Sequence, residues 1–116
     1  MTSEQLRANA LVSVLLQEDA SFYELVQEFV DSLPARVQEL NAACERRDLT
    51  TLRTLAHRLK GAGGSFGYPQ ISALAAQMET AYKADQTDQT TKWLEELNTL
   101  AEAAKNGLAS FTSRAN

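Results

Sequence analysis

Cysteine, proline and histidine are scarce in this 116-residue chain: one Cys, two Pro and one His. A lone Cys44 cannot close an internal disulfide, so the fold must rest on its core, and a reducing, cytoplasmic compartment is expected. Two Pro and five Gly are too few for a collagen-like or low-complexity chain. No apolar run approaches the ~20 residues of a membrane span, and the start MTSEQLRANALVSVLLQED lacks a basic region followed by a long apolar one. Strict period-two alternation is also missing, which argues against strands.

What is present is globular: 44% hydrophobic and 22% charged residues, in a length that suits one domain over 1–116. The net charge of −4 excludes the broad basic footprint of a nucleic-acid binder. The charge is uneven, however. From Arg46 to Lys60 five basic residues (Arg46, Arg47, Arg53, Arg58, Lys60) face one acid, Asp48, a local +4 that leaves −8 on the remainder.

Apolar residues recur every three or four positions throughout, so the expected fold is all-α. Thr2 or Ser3 can cap a first helix carrying Leu6, Ala10, Val14 and Leu15. Ser21-Phe-Tyr-Glu24 has the pattern of a capping box opening a second, with the stripe Phe22, Leu25, Phe29, Leu33, Val37, Leu40 and Cys44. Pro34 should bend that helix, since the stripe continues in phase beyond it. Asp48 can cap a third, whose seam is Leu49, Leu52, Ala56, Leu59, Gly63 and Phe66. Pro69 suits the first turn of a fourth, with Ile71, Leu74, Ala75, Met78, Ala81 and Tyr82. Asp88 can cap a last helix through Trp93, Leu97, Leu100, Ala104 and Leu108, with Asn106-Gly107 as a candidate end and 110–116 as a frayed tail. Short links between such helices predict an antiparallel up-down four-helix bundle, its core about 21–108, with an additional N-terminal helix. Cys44, Met78, Tyr82 and Trp93 all fall at core positions. Arg46-Arg47 serves equally as a solvated helix end or as the rim of a docking surface.

His57 stands apart. At ~100° per residue it lies about 150° from the inward direction of its helix, beside Thr50, Arg53, Thr54, Lys60, Gly61 and Gly64. Three glycines, 61, 63 and 64, sit in a stretch that Phe66 keeps in helical phase, although a loop after Lys60 is the other reading. In a helix they cost roughly 3 kcal/mol against alanine. Gly63 points inward and permits close packing, whereas Gly61 and Gly64 leave the surface beside the imidazole bare. An exposed histidine is most often an ordinary surface residue. The alternative is chemical: a neutral imidazole is a nucleophile that needs no activating base, and Lys60 at i+3 and Arg53 at i−4 would receive an anion formed on it. Zinc finds no second ligand at i±3 or i±4, and no acid but Asp48 is close in sequence to orient a triad. No metal site is therefore expected, and no nucleotide loop follows a strand.

The segment Ala56-His57-Arg58-Leu59-Lys60-Gly61-Ala62-Gly63-Gly64-Ser65-Phe66-Gly67 resembles the signature of histidine-containing phosphotransfer (HPt) domains, and the likeness runs from about Ser21 to Leu100. It takes in Phe29/Leu33-Pro34 and the Ile71/Leu74/Met78-Glu79 pattern. The resemblance implies that His57 accepts a phosphoryl group, through Nε2, from a phospho-aspartyl receiver domain and passes it to another. It implies that Lys60 offsets the phosphoryl charge and that Gly61 keeps the adjacent turn clear. Gly64, Arg53, Thr54 and Arg58 are the remaining candidates for partner docking. Such a domain is a relay without kinase activity; its partners are response-regulator receivers or a hybrid histidine kinase, and Mg²⁺ would be supplied by the receiver. Neither nucleic acid nor membrane is an expected partner; a monomer is expected because the pattern closes a core within one chain, and Met1 with the complete bundle favours a free-standing protein over a part of a larger hybrid kinase. The competing reading is a helical interaction module that binds receivers without phosphorylation.

Overall fold

The computed structural model describes residues 10–115, with side chains through Phe111. Five α-helices span α1 (Val14–Glu18), α2 (Tyr23–Glu45), α3 (Leu49–Ser65), α4 (Pro69–Lys83) and α5 (Thr90–Ala115), and there is no strand among the described residues. α2 packs on α3, α3 on α4, α4 on α5 and α5 on α2, which closes the antiparallel four-helix bundle. The predicted stripes supply its centre: Leu33, Leu40, Leu52, Leu59, Ile71, Met78, Tyr82 and Leu97 are fully buried. Pro34 lies inside α2 without ending it.

Three helix ends share one device. Arg47, Gly67 and Asp85 adopt left-handed backbone conformations, with φ of 57°, 84° and 59°. The next residue then returns its N–H to a carbonyl five positions back: Asp48 to Ala43 at 2.9 Å, Tyr68 to Gly63 at 2.8 Å and Gln86 to Ala81 at 2.9 Å. This satisfies carbonyls that a helix end would otherwise orphan and reverses the chain tightly enough for antiparallel packing. Asp48 then caps α3 as expected, its carboxylate accepting from the Thr51 N–H at 3.1 Å and hydroxyl at 2.6 Å.

The N-terminal segment is clasped by two close backbone approaches. Buried Ser13 caps α1, accepting from the Leu16 N–H at 3.2 Å and donating to the Phe66 carbonyl at 2.6 Å. Val14 donates to the Gly67 carbonyl and Leu11 to the Ala103 carbonyl, both at 2.8 Å. A Cβ on Gly107 would run into the Leu11 backbone, and one on Gly67 into that of Leu15 and Val14. Gly107 therefore makes room for a crossing chain and does not end α5, contrary to expectation. The helix runs on through the stretch expected to fray, to Ala115, and Phe111 stacks on Tyr23 at 5.6 Å between ring centroids.

Other expectations are also corrected. Ser21 and Glu24 do not form a capping box; Asp19 accepts from the Ser21 N–H at 2.9 Å and opens a 3-10 turn, Ala20–Phe22, ahead of α2. Phe29, Leu33 and Leu40 of the predicted stripe are buried, but its first turn is filled by Val26 and Val30, and Leu25 is 49% exposed. In α1, Leu16 is buried and Val14 exposed. α5 starts at Thr90, two residues beyond Asp88, and buried Thr90 bonds the Tyr82 hydroxyl at 2.9 Å. Tyr68, expected as turn punctuation, is buried and stacks on Phe29 at 6.0 Å. The cap expected at Thr2 or Ser3, and Leu6, lie outside the described residues.

Gly67→Ala should destabilise the protein by about 1–3 kcal/mol, because it adds both backbone strain and collision. Arg47→Gly, which only relieves a left-handed residue, should stabilise it by about 0.5–1 kcal/mol. Urea unfolding of the two variants checks the opposite signs.

Candidate functional site

α3 and α4 form the closest helix pair, and a glycine explains why. A Cβ on Gly63 would stand 3.0 Å from the Ser72 backbone nitrogen and 3.2 Å from Ile71 Cγ2. The pair is fastened along its length. The Ser72 hydroxyl donates to the Lys60 carbonyl at 2.8 Å, and Arg53 donates to the Tyr82 carbonyl at 3.0 Å and the Asp85 carboxylate at 2.6 Å. Arg53 is therefore a fastener between helices, not the free cation that the sequence suggested.

This close pairing brings together residues 22 positions apart. His57, its side chain 72% exposed, places Nδ1 at 2.7 Å from Oε2 of Glu79, whose side chain is 9% exposed. Lys60 Nζ is 3.5 Å from the other carboxylate oxygen, and Lys83 Nζ is 3.9 Å from Oε2. Burial pushes the Glu79 carboxyl upward, but the His57 hydrogen bond and the positive charges of Lys83, His57 and Lys60 outweigh it and hold the group below its ordinary range. Glu79 is thus ionised near neutral pH and can only accept. It follows that Nδ1 carries the proton in a neutral ring, and the lone pair sits on Nε2, the nitrogen left free of this contact. With Glu79 negative and two lysines positive, one cationic charge remains in excess beside the ring.

The roles of Glu79 and Lys83 do not show in the sequence around His57, because both lie a helix away along the chain. A signal was nonetheless present. Glu79 extends the row Ile71-Ala75 by one further turn, where the first two are fully buried, so an acid there is an anomaly on an inward edge.

The predicted surface residues divide clearly. Gly61 has no atom within 4 Å of a built Cβ, and Gly64 has only the Ser72 hydroxyl at 3.6 Å. Both are exposed and helical, so the phase argument holds and the fold needs neither as glycine. Thr54 is exposed, its hydroxyl donating to the Thr50 carbonyl at 3.1 Å. Arg58 is exposed toward the α2 side. Among the described residues there is no cluster of His, Cys, Asp and Glu that could hold a metal, and no helix is long and apolar enough to cross a membrane.

The family model of the Hpt domain matches residues 24–107, most of the chain. The chain belongs to the Hpt domain family. Hpt domains are phosphotransfer modules of phosphorelay and two-component signalling, without catalytic activity of their own, and they interact with receiver domains and histidine kinases. Comparison with curated proteins and with solved structures gave no match. The Hpt match begins after α1, so the clasped N-terminal segment is an addition to the matched bundle.

Because the folded Glu79 carboxyl lies below its ordinary value of 4.5, its contribution to stability is fully present above that pH and is lost as pH falls through the folded value. The part of the wild-type advantage over Glu79→Gln that comes from this ionised carboxylate should therefore fall away as pH drops below about 4.5. Urea titrations at a series of pH values measure it.

Proposed function

We propose that this Hpt domain is a phosphorelay intermediate whose phosphoacceptor is His57. The observation that carries the reading is an exposed imidazole whose Nδ1 is committed to a buried carboxylate 2.7 Å away. That arrangement presents Nε2 as the nucleophile and fixes the plane of the ring. In the forward step the Nε2 lone pair forms the N–P bond as the P–O bond of a receiver's aspartyl phosphate breaks, and the receiver aspartate leaves as carboxylate. The Nδ1 proton stays on the ring, which acquires positive charge, and Glu79 stabilises that charge as it develops.

The same charge makes the ring a good leaving group, so the phosphoryl group can return to a second receiver's aspartate by the reverse displacement. Lys60 and Lys83 offset the phosphoryl oxygens, whose transition state is loose and depends mainly on positioning and neutralisation. Mg²⁺ is supplied by the receiver. Gly61 and Gly64 provide the bare helix face against which the receiver docks. Such docking suits a transient contact, since a relay must release each partner.

The test is labelling by receiver domains from the same genome, charged with radiolabelled acetyl phosphate and Mg²⁺. Wild type should take up acid-labile, alkali-stable label, and His57→Gln none; equal label in both would refute the assignment. Gly61→Gln supplies an independent check. It should stabilise the fold by roughly 0.5–1 kcal/mol, because it replaces a helical glycine in open space. It should slow transfer at least about tenfold, the equivalent of some 1.4 kcal/mol at the transition state. A receiver that binds wild type and His57→Ala alike, with no label passed, would favour a phosphorylation-independent interaction module.

A further inference from the structure

Between α2 and α3, on the flank of His57 away from Glu79, lies a cleft of about 320 Å³ lined by Ser32, Arg36, Glu39, Leu55 and Arg58 among others. Arg36 is half-buried and held in place: its Nε donates to the Ser32 hydroxyl at 2.9 Å, and its guanidinium lies over the Phe29 ring at 5.5 Å from the centroid. The Ser32 hydroxyl in turn donates to the Phe29 carbonyl at 2.6 Å, so it has no rotational freedom to release the arginine. Both terminal nitrogens of Arg36 remain available. Arg58, the residue after His57, lines the same cleft and is exposed.

Most other basic side chains around α3 are paired, and Arg47, at the α2–α3 turn, is unpaired among the described residues but does not line the cleft. Arg46 pairs with Asp48, Arg53 with Asp85 and Lys60 with Glu79. Neither Arg36 nor Arg58 has a carboxylate within 4.0 Å among the described residues, although Glu39 borders the cleft. A guanidinium is weakly hydrated and presents a rigid fork matched to a carboxylate, and an arginine already fixed through Nε loses little further freedom when it binds one.

We propose that Arg36 and Arg58 together receive an acidic side chain of the protein that docks over His57, so that the partner's footprint crosses α3 onto α2. The proposal rests on the phosphoacceptor reading above. It gives that partner a second point of attachment, which sets its rotation about the His57 axis. Lys60, Lys83 and the bare glycine face hold the one flank, and a carboxylate in the arginine cleft holds the other.

Transfer rates from the charged receivers to wild type, Arg58→Glu, Arg36→Gln and Lys92→Glu, measured over a range of ionic strength, test it. Arg58→Glu should transfer about tenfold more slowly at low salt, with the gap closing toward ~0.5 M salt, where charge steering is screened. Arg36→Gln should show a smaller loss of the same form, and Lys92→Glu, remote on α5, should match wild type. Arg36 also supports Phe29, so thermal unfolding accompanies both variants, and Arg58→Glu, which alters an exposed side chain, decides the matter. A Glu→Arg or Asp→Arg change on the receiver that restores Arg58→Glu would identify the carboxylate. Labelled wild type with an unaltered Arg58→Glu rate at every salt concentration overturns this proposal only. Unlabelled wild type overturns the phosphoacceptor reading and this proposal with it.

Discussion

One buried carboxylate organises the chemistry of this molecule. Glu79 is nearly removed from water, yet three cationic or proton-donating groups, on His57, Lys60 and Lys83, converge on it. An isolated carboxylate at that depth would be costly; here the surrounding donors compensate it and in return are held in place. The contact exists only because α3 and α4 approach closely. Gly63 permits the approach, Ser72 and Arg53 fasten it, and the left-handed turn at Gly67 aligns the register. A packing decision at one glycine thus determines which nitrogen of a ring one and a half turns away is free.

The glycines show how folding and surface demands divide on a single helix. Gly63 is required by the helix pair, and alanine there would press on backbone. Gly61 and Gly64, on the other face, are required by nothing among the described residues. Under the proposed docking role, the stability given up at these two exposed positions keeps that face clear for a partner. Gly67 and Gly107 belong to a third class, in which backbone crosses backbone and no side chain fits.

The legible parts of the fold were those governed by local chemistry or by sustained periodicity. The α3 seam, the Asp48 cap and Pro69 at the start of α4 follow from spacing and hydrogen-bonding capacity alone, and so does the outward position of His57. The illegible parts depended on tertiary contacts. Asp19 displaced Ser21 as the capping residue, and Val26 took the core position that the stripe assigned to Leu25, because both lie at the edge of one helical face and only the neighbouring helices decide between them. Asn106-Gly107 has the local signature of a helix end, but the crossing chain at Leu11 uses the missing side chain instead. Arg53 looked free because its partners are 29 and 32 residues away. Glu79 was hidden for the same reason, 22 residues from the ring it orients.

His57 is the only histidine in the chain, so its two ring nitrogens give an unambiguous signal. Long-range ¹H–¹⁵N correlation spectra, recorded at a pH where the ring is neutral, report directly which nitrogen holds the proton. The wild-type ring should be protonated on Nδ1 and unprotonated on Nε2, with that preference lost when Glu79 is replaced by alanine. A wild-type ring protonated on Nε2 would contradict it.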